Sequence, residues 1–124
     1  MLICESIAQL KQALIDLADL EPPTGTSSNE AFIFASLYRR AGFRYLVQAQ
    51  LAAMDMGDHA DNMNKHADRD EELLKHADLF NKARNKAKKY ITKGSKAARE
   101  CHEFWALGLW ELGGTQVGGM NERA

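Results

Sequence analysis

Five lysines, Lys75, Lys82, Lys86, Lys89 and Lys93, follow one another at steps of 7, 4, 3 and 4 residues, with Lys96 one short step beyond. On a helix turning about 100° per residue they share one face. The row of ammonium groups from Lys75 to Lys93 would extend about 27 Å. A nucleic-acid backbone is a chemical match for such a row, because each lysine–phosphate contact releases condensed counterions. Tyr90 is the aromatic residue beside the row, a single candidate for base stacking. Two other readings compete. Lysines commonly occupy the solvated face of an amphipathic helix. The row can also pair with acidic residues, since residues 55–72 carry seven acids against two bases while 82–99 carry eight bases and no acid. Balanced patches of that kind drive head-to-tail assembly of identical copies.

Histidine supplies the second group of candidates. His59, His66 and His76 lie among the acids and form the i,i+4 pairs Asp55/His59, His66/Asp70 and Glu72/His76. The first reading of these pairs is surface helix stabilisation, with no metal and no cofactor. The alternative is a metal site drawing on His59, His66 and Asp70, since two facing helices can assemble zinc or iron ligands. No Glu-x-x-His or His-Glu-x-x-His motif is present.

Residues 69–76, Arg-Asp-Glu-Glu-Leu-Leu-Lys-His, resemble the Arg-x4–6-His motif of the HEPN ribonucleases. Those are small all-helical domains in which the Arg and His of two protomers form a composite RNA-cleaving site. The resemblance covers eight residues and implies an enzymatic alternative with Arg69 and His76 as the catalytic pair. Outside that alternative the sequence names no catalytic residue.

The elements that must position these residues are helical. Ala, Leu, Lys, Glu and Gln dominate the periodic segments. Ile3, Ile7, Leu10, Leu14 and Leu17 step 4, 3, 4, 3 and predict a first helix over about 3–20. Glu21-Pro22-Pro23-Thr24-Gly25 then reads as a loop. Ser27 and Glu30 have capping-box spacing, so a second helix is expected from there to Met56, with Gly57 as its stop. It carries a broad apolar face including Phe34, Tyr38, Tyr45, Ala52 and Met56, widened by Phe43, Leu46, Val47, Leu51 and Met54. Residues 57–67 read as either loop or the protruding start of a third helix. Asp68 and Glu71 offer a second capping box. Leu73, Ala77, Phe80, Ala87 and Ile91 then form an apolar stripe up to Gly94, and Ser95 is placed to cap a fourth helix ending at Gly113-Gly114.

Two features of the later helices suggest partners. Arg84 falls between Phe80 and Ala87 in the apolar stripe, where an arginine either snorkels or meets a carboxylate across an interface. Phe104, Trp105, Leu109 and Trp110 lie in a stretch apolar nearly all round, which suits a protein interface or a central helix.

With 124 residues, 45% hydrophobic and 27% charged, the chain has the balance of one globular domain. The expected fold is all-α, a four-helix, mostly antiparallel bundle over 1–114 with a long helix 2–helix 3 hairpin and a flexible tail over 115–124. Cys4 and Cys101 read as buried reduced thiols. No secretory signal is visible and no apolar run approaches a membrane span, so the expected location is cytoplasmic. The functional expectation is a non-enzymatic helical subunit. Its lysine row would bind nucleic acid or another polyanion without sequence preference, and its C-terminal helix would dock on a protein partner or a second copy. A pure protein-interaction or assembly module is the alternative outside catalysis.

Overall fold

A computed structural model describes residues 2–123, with side chains for 2–113. The described residues form three helices and no strand: α1 (Leu2–Ala18), α2 (Glu30–Lys65) and α3 (Asp70–Arg123). The expected fourth helix is the second half of α3. The tail expected over 115–124 falls on residues whose side chains are outside the described part.

The reason for the merger lies in the residue spacing. On α3, Leu73, His76, Phe80, Ala83, Ala87, Tyr90, Gly94, Ala97, Cys101, Phe104 and Gly108 step 3 and 4 in strict alternation. That is one uninterrupted seam, and it passes straight through Gly94-Ser95. The facing seam of α2 runs Ala35, Tyr38, Gly42, Tyr45, Ala49, Ala52, Met56, His59, Met63 and His66, again in alternating steps of 3 and 4. Phe32 meets Trp105, Tyr45 meets Tyr90 and His59 meets His76, so the two helices run antiparallel. Small residues in both seams let the backbones approach closely.

The glycines mark those approaches. A Cβ on Gly94 would lie 2.6 Å from Leu10 Cδ2, one on Gly42 2.5 Å from Leu14 Cδ2, and one on Gly108 2.7 Å from Phe32 Cε1. Gly94 is therefore a socket for a leucine of α1, not a stop. Gly57 has nothing within 4 Å of its Cβ position, and α2 continues through it to Lys65. A mid-helix glycine costs about 1 kcal/mol, which does not end a helix paired along its length.

α1 buries Ile3, Leu10, Leu14 and Leu17, the stripe expected from sequence. Ile3 packs with Ala52 and Ala87, while Leu10, Leu14 and Leu17 join Ala35, Leu46, Ala98 and Cys101. α1 thus covers the hairpin between its open end and Ala52/Ala87 and leaves the remainder as a two-helix arm. From Ala52 to Lys65 that arm projects about 20 Å.

Residues 23–29 make two consecutive turns, with Thr26 N–H donating to Pro23 O at 3.1 Å and Asn29 N–H to Thr26 O at 2.9 Å. Ser27 is consumed in the second turn, and the cap is Asn29, whose Oδ1 accepts from Ala31 N–H at 2.9 Å. Arg39 donates through Nη1 to the carbonyls of Leu17 and Leu20, both at 3.4 Å, at the C-terminal end of α1. The negative end of that helix dipole meets a cation there. Cys4 is exposed, contrary to expectation, because it lies one residue round from the Ile3 stripe; Cys101 is buried.

Candidate functional site

α3 places the lysine row on its outward side. Lys75, Lys82, Lys86, Lys89, Lys93 and Lys96 are situated along it, all exposed, and Arg84 is exposed as well. Lys82 pairs with Asp78 at 3.1 Å, but both side chains are largely in water, where such a pair contributes about 0–1 kcal/mol. The row is therefore free to exchange that carboxylate for another anion.

Pairing with α2 adds what the sequence does not display. Tyr45 of α2 stacks on Tyr90 of α3 with ring centroids 6.1 Å apart and planes 26° from parallel. Lys93 Nζ lies 5.8 Å from the Tyr45 centroid and 5.9 Å from that of Tyr90, and Lys89 Nζ lies 5.6 Å from Tyr90. Arg44 and Gln48 join the two tyrosines and Ala41 around a shallow open pocket. Two aromatic rings, two lysines, an arginine and an amide thus share one face at the middle of the row. Tyr45 escapes sequence reasoning because its partnership depends on the register between two helices.

The apolar C-terminal candidates divide. Phe104 is half-buried against Phe34 and Tyr38, with ring centroids 5.2 and 5.6 Å away. Trp105 is half-buried edge-on to Phe32 at 5.0 Å. Both hold the hairpin together. Leu109 and Trp110 are exposed, Trp110 at 71%. Phe32, two residues into α2, meets both Trp105 and Gly108, so beyond Gly108 α3 has outrun its neighbour. On α2, Ile33, Leu37, Val47, Leu51 and Met54 are also exposed. At 100° per residue they fall on one outward face, the side opposite Ala35 and Leu46, with Arg40 and Arg44 between them. The broad apolar face expected for this helix is therefore split: Leu46 and Ala52 are buried, while Val47, Leu51 and Met54 are exposed.

At the closed end of the hairpin the histidines converge. His66 caps the C-terminus of α2, with its N–H donating to Asn62 O, and Arg69 N–H donates to His66 O across the turn into α3. His66, Glu72 and His76 each bring one potential ligand atom within 4.8 Å of the others. His76 Nε2 lies 3.7 Å from Glu72 Oε2. The His59 and His66 rings lie 5.9 and 6.0 Å from that of His76. Asp70, the carboxylate chosen from sequence, is exposed and outside this set; Glu72 takes its place. Arg69 is exposed in the turn, while His76 faces the other histidines.

Among titratable groups, burial holds the Cys101 thiol above its ordinary pKa, with the Arg39 cation acting weakly in the opposite direction. Among the described residues no helix is long and apolar enough to cross a membrane. Comparison with protein-family models, with curated proteins and with solved structures returned no match.

Proposed function

We propose that the protein is a non-enzymatic helical subunit that binds single-stranded nucleic acid, or a polyanion of similar charge spacing, along α3. The observation that carries this reading is the stacked Tyr45–Tyr90 pair set among Lys89, Lys93 and Arg44. The two rings pack in the α2–α3 seam and remain half-exposed beside the ammonium row. A nucleic-acid strand uses both parts, phosphates on the ammonium row and a base against an aromatic face. Among the described residues no base-reading element accompanies the patch, so binding would be indifferent to sequence.

Fluorescence anisotropy with labelled single- and double-stranded DNA and RNA at several salt concentrations tests it. Single strands should bind with a log–log salt slope near about −3, for four to five neutralised phosphates at about −0.7 each. Replacing Lys82, Lys86, Lys89 and Lys93 by Gln should flatten that slope. Tyr90→Ala should weaken binding about fivefold or more while leaving the slope in place, the signature of lost stacking. Absence of binding at low salt refutes the proposal.

The exposed row Ile33, Leu37, Val47, Leu51 and Met54, together with Leu109 and Trp110, favours a second reading, an assembly module that docks on protein. Exposed apolar residues in a contiguous row mark interaction surfaces. Concentration-dependent sedimentation that is abolished by Leu51→Gln or Trp110→Ala would support it. A monomer at all concentrations, with no binding of nucleic acid either, would remove both readings.

A further inference from the structure

We infer that the closed end of the α2–α3 hairpin is a binding site for a divalent transition-metal ion of the zinc class, held by His66, Glu72 and His76. It is independent of the nucleic-acid reading, which uses the middle of α3.

The argument begins with the seams. His59, His66 and His76 occupy positions that elsewhere in the two seams carry Ala, Gly, Leu, Met, Cys or an aromatic residue. Three imidazoles in apolar seam positions bring polar nitrogens where the register supplies no partner. That is what the structure contains: Nδ1 of His59 and Nδ1 of His76 are buried with no hydrogen-bond partner. Buried polar groups are ordinarily satisfied, and leaving one unpaired is costly. His59 lies outside the ligand set and His76 turns its other nitrogen, Nε2, toward Glu72, so the orphaned atoms show only that these imidazoles are held in the seam without hydrogen bonds of their own; the site itself rests on the convergence of His66, Glu72 and His76.

Geometry and charge agree. Ligands bound to zinc at about 2.0–2.2 Å in a tetrahedron are separated by roughly 3.4 Å. His76 Nε2 and Glu72 Oε2 are already 3.7 Å apart, and the whole set lies within 4.8 Å. Small side-chain rotations close the remainder. Two imidazoles and one carboxylate are the donor set that borderline cations take, leaving one position for water. His59 packs on His76 and limits its movement. Residues 55–72, which include the turn, carry seven acids against Lys65 and Arg69, a net charge of −5 that concentrates cations at the closed end. Hard cations such as Mg2+ favour all-oxygen sites and are poorly matched to it.

The ligands straddle the turn, with His66 ending α2 and Glu72 and His76 in the first two turns of α3. The bound ion would therefore clip the two helices at the end α1 does not reach. Zinc titration followed by calorimetry on the full chain, with cobalt absorption as a second readout, tests this. One ion per chain is expected, with the cobalt spectrum of a tetrahedral site. His66→Asn and His76→Ala should each weaken binding at least about tenfold, and Glu72→Gln by a smaller factor, while His102→Ala, on the exposed surface of α3, should leave it unchanged. Saturating zinc should raise the melting temperature by roughly 10 °C at a hundredfold excess over Kd, since ligand binds only the folded chain. Circular dichroism establishes that each variant is folded. Binding that survives the His66→Asn/His76→Ala double variant, or no binding by the wild-type chain at micromolar zinc, overturns the proposal.

Discussion

Replacing Gly94 by alanine tests whether the seam glycines are sockets or mere tolerated defects. Helix propensity alone predicts stabilisation, since alanine is favoured over glycine in a helix interior by about 1 kcal/mol. The structure predicts the reverse. The new methyl would stand 2.6 Å from Leu10 Cδ2 and 3.4 Å from both Leu10 Cδ1 and Tyr45 Cβ. Carbon contacts settle at about 3.5–4.0 Å, so Leu10 must withdraw by roughly 1 Å. Leu10 is only 3% exposed and borders the open groove it lines with Leu17, Ile91 and Ala98, so withdrawing costs it part of its seat in the seam. Overpacking of this kind costs about 1–3 kcal/mol. Set against the propensity gain, the net effect is a loss of up to about 2 kcal/mol. Gly57→Ala is the control, in the same kind of helix with nothing near the added methyl. It should show the propensity gain alone.

Thermal melts followed by circular dichroism separate the two accounts. For a chain of this size 1 kcal/mol moves the melting temperature by about 4 °C. Gly57→Ala should melt about 4 °C higher than the wild type, and Gly94→Ala as much as about 8 °C lower. Shortening the knob gives an internal check. Leu10→Ala alone should cost about 2–5 kcal/mol. In the Gly94→Ala background its cost should fall, because the new methyl occupies part of the vacated volume. The double variant should therefore be more stable than the sum of the singles by about 0.5–3 kcal/mol. A Gly94→Ala protein that melts as high as Gly57→Ala would refute the knob-in-socket account.

Two further outcomes follow from the caps and the buried thiol. Asn29→Ala removes the side-chain acceptor of Ala31 N–H and should lower stability by about 1 kcal/mol, whereas Asn29→Asp, which keeps an acceptor, should not; equal melting temperatures for both would show that the turns before α2 carry the cap without it. Cys4 should be alkylated rapidly at about pH 8 in the folded chain and Cys101 only on unfolding, because burial both blocks the reagent and raises the Cys101 pKa. A thiol with a raised folded-state pKa contributes its full share of stability below the ordinary thiol pKa and loses it as pH climbs through the raised value. Denaturant midpoints should therefore fall in that alkaline window less for Cys101→Ala than for the wild type.

How far the sequence reveals this molecule differs from helix to helix. α1 is legible because its apolar residues sit on a single narrow stripe that meets a single groove. The outward lysines are legible for the related reason that exposure on an amphipathic helix follows from the position of its apolar side. The ends of α2 and the unity of α3 are not. Gly57, Gly94 and Ser95 carry strong local stop and start signals, yet each signal is worth about 1 kcal/mol, less than pairing along a continuous seam contributes. The seam itself is easily overlooked because it is made largely of alanine and glycine, while the bulky residues Val47, Leu51 and Met54 point outward. The histidine cluster is half visible. Within-helix spacing picks Asp70 as the partner of His66, but the residues that meet His66 lie across a turn, at a register that no i,i+4 rule encodes.

Those same seams explain why the two ends of the hairpin are chemically unlike. Where α1 covers it, closeness of backbones is rewarded because Leu10 and Leu14 of α1 fill the space above Gly94 and Gly42, as Phe32 of α2 does above Gly108. Beyond Ala52 and Ala87 that third helix is gone, so small seam residues would leave the arm with little apolar area to bury. The chain changes strategy at that boundary and places Met56, Met63, Leu73, Phe80 and three histidines in the seam. The larger apolar residues restore some burial, but the histidines restore less than leucines would and leave two nitrogens without partners. A sequence selected only to hold two helices together has no reason to accept that loss three times within one short arm. For His66 and His76 the loss makes sense if the arm gains cohesion from a bound cation, held by those two imidazoles with Glu72, while His59 packs against His76 beside it.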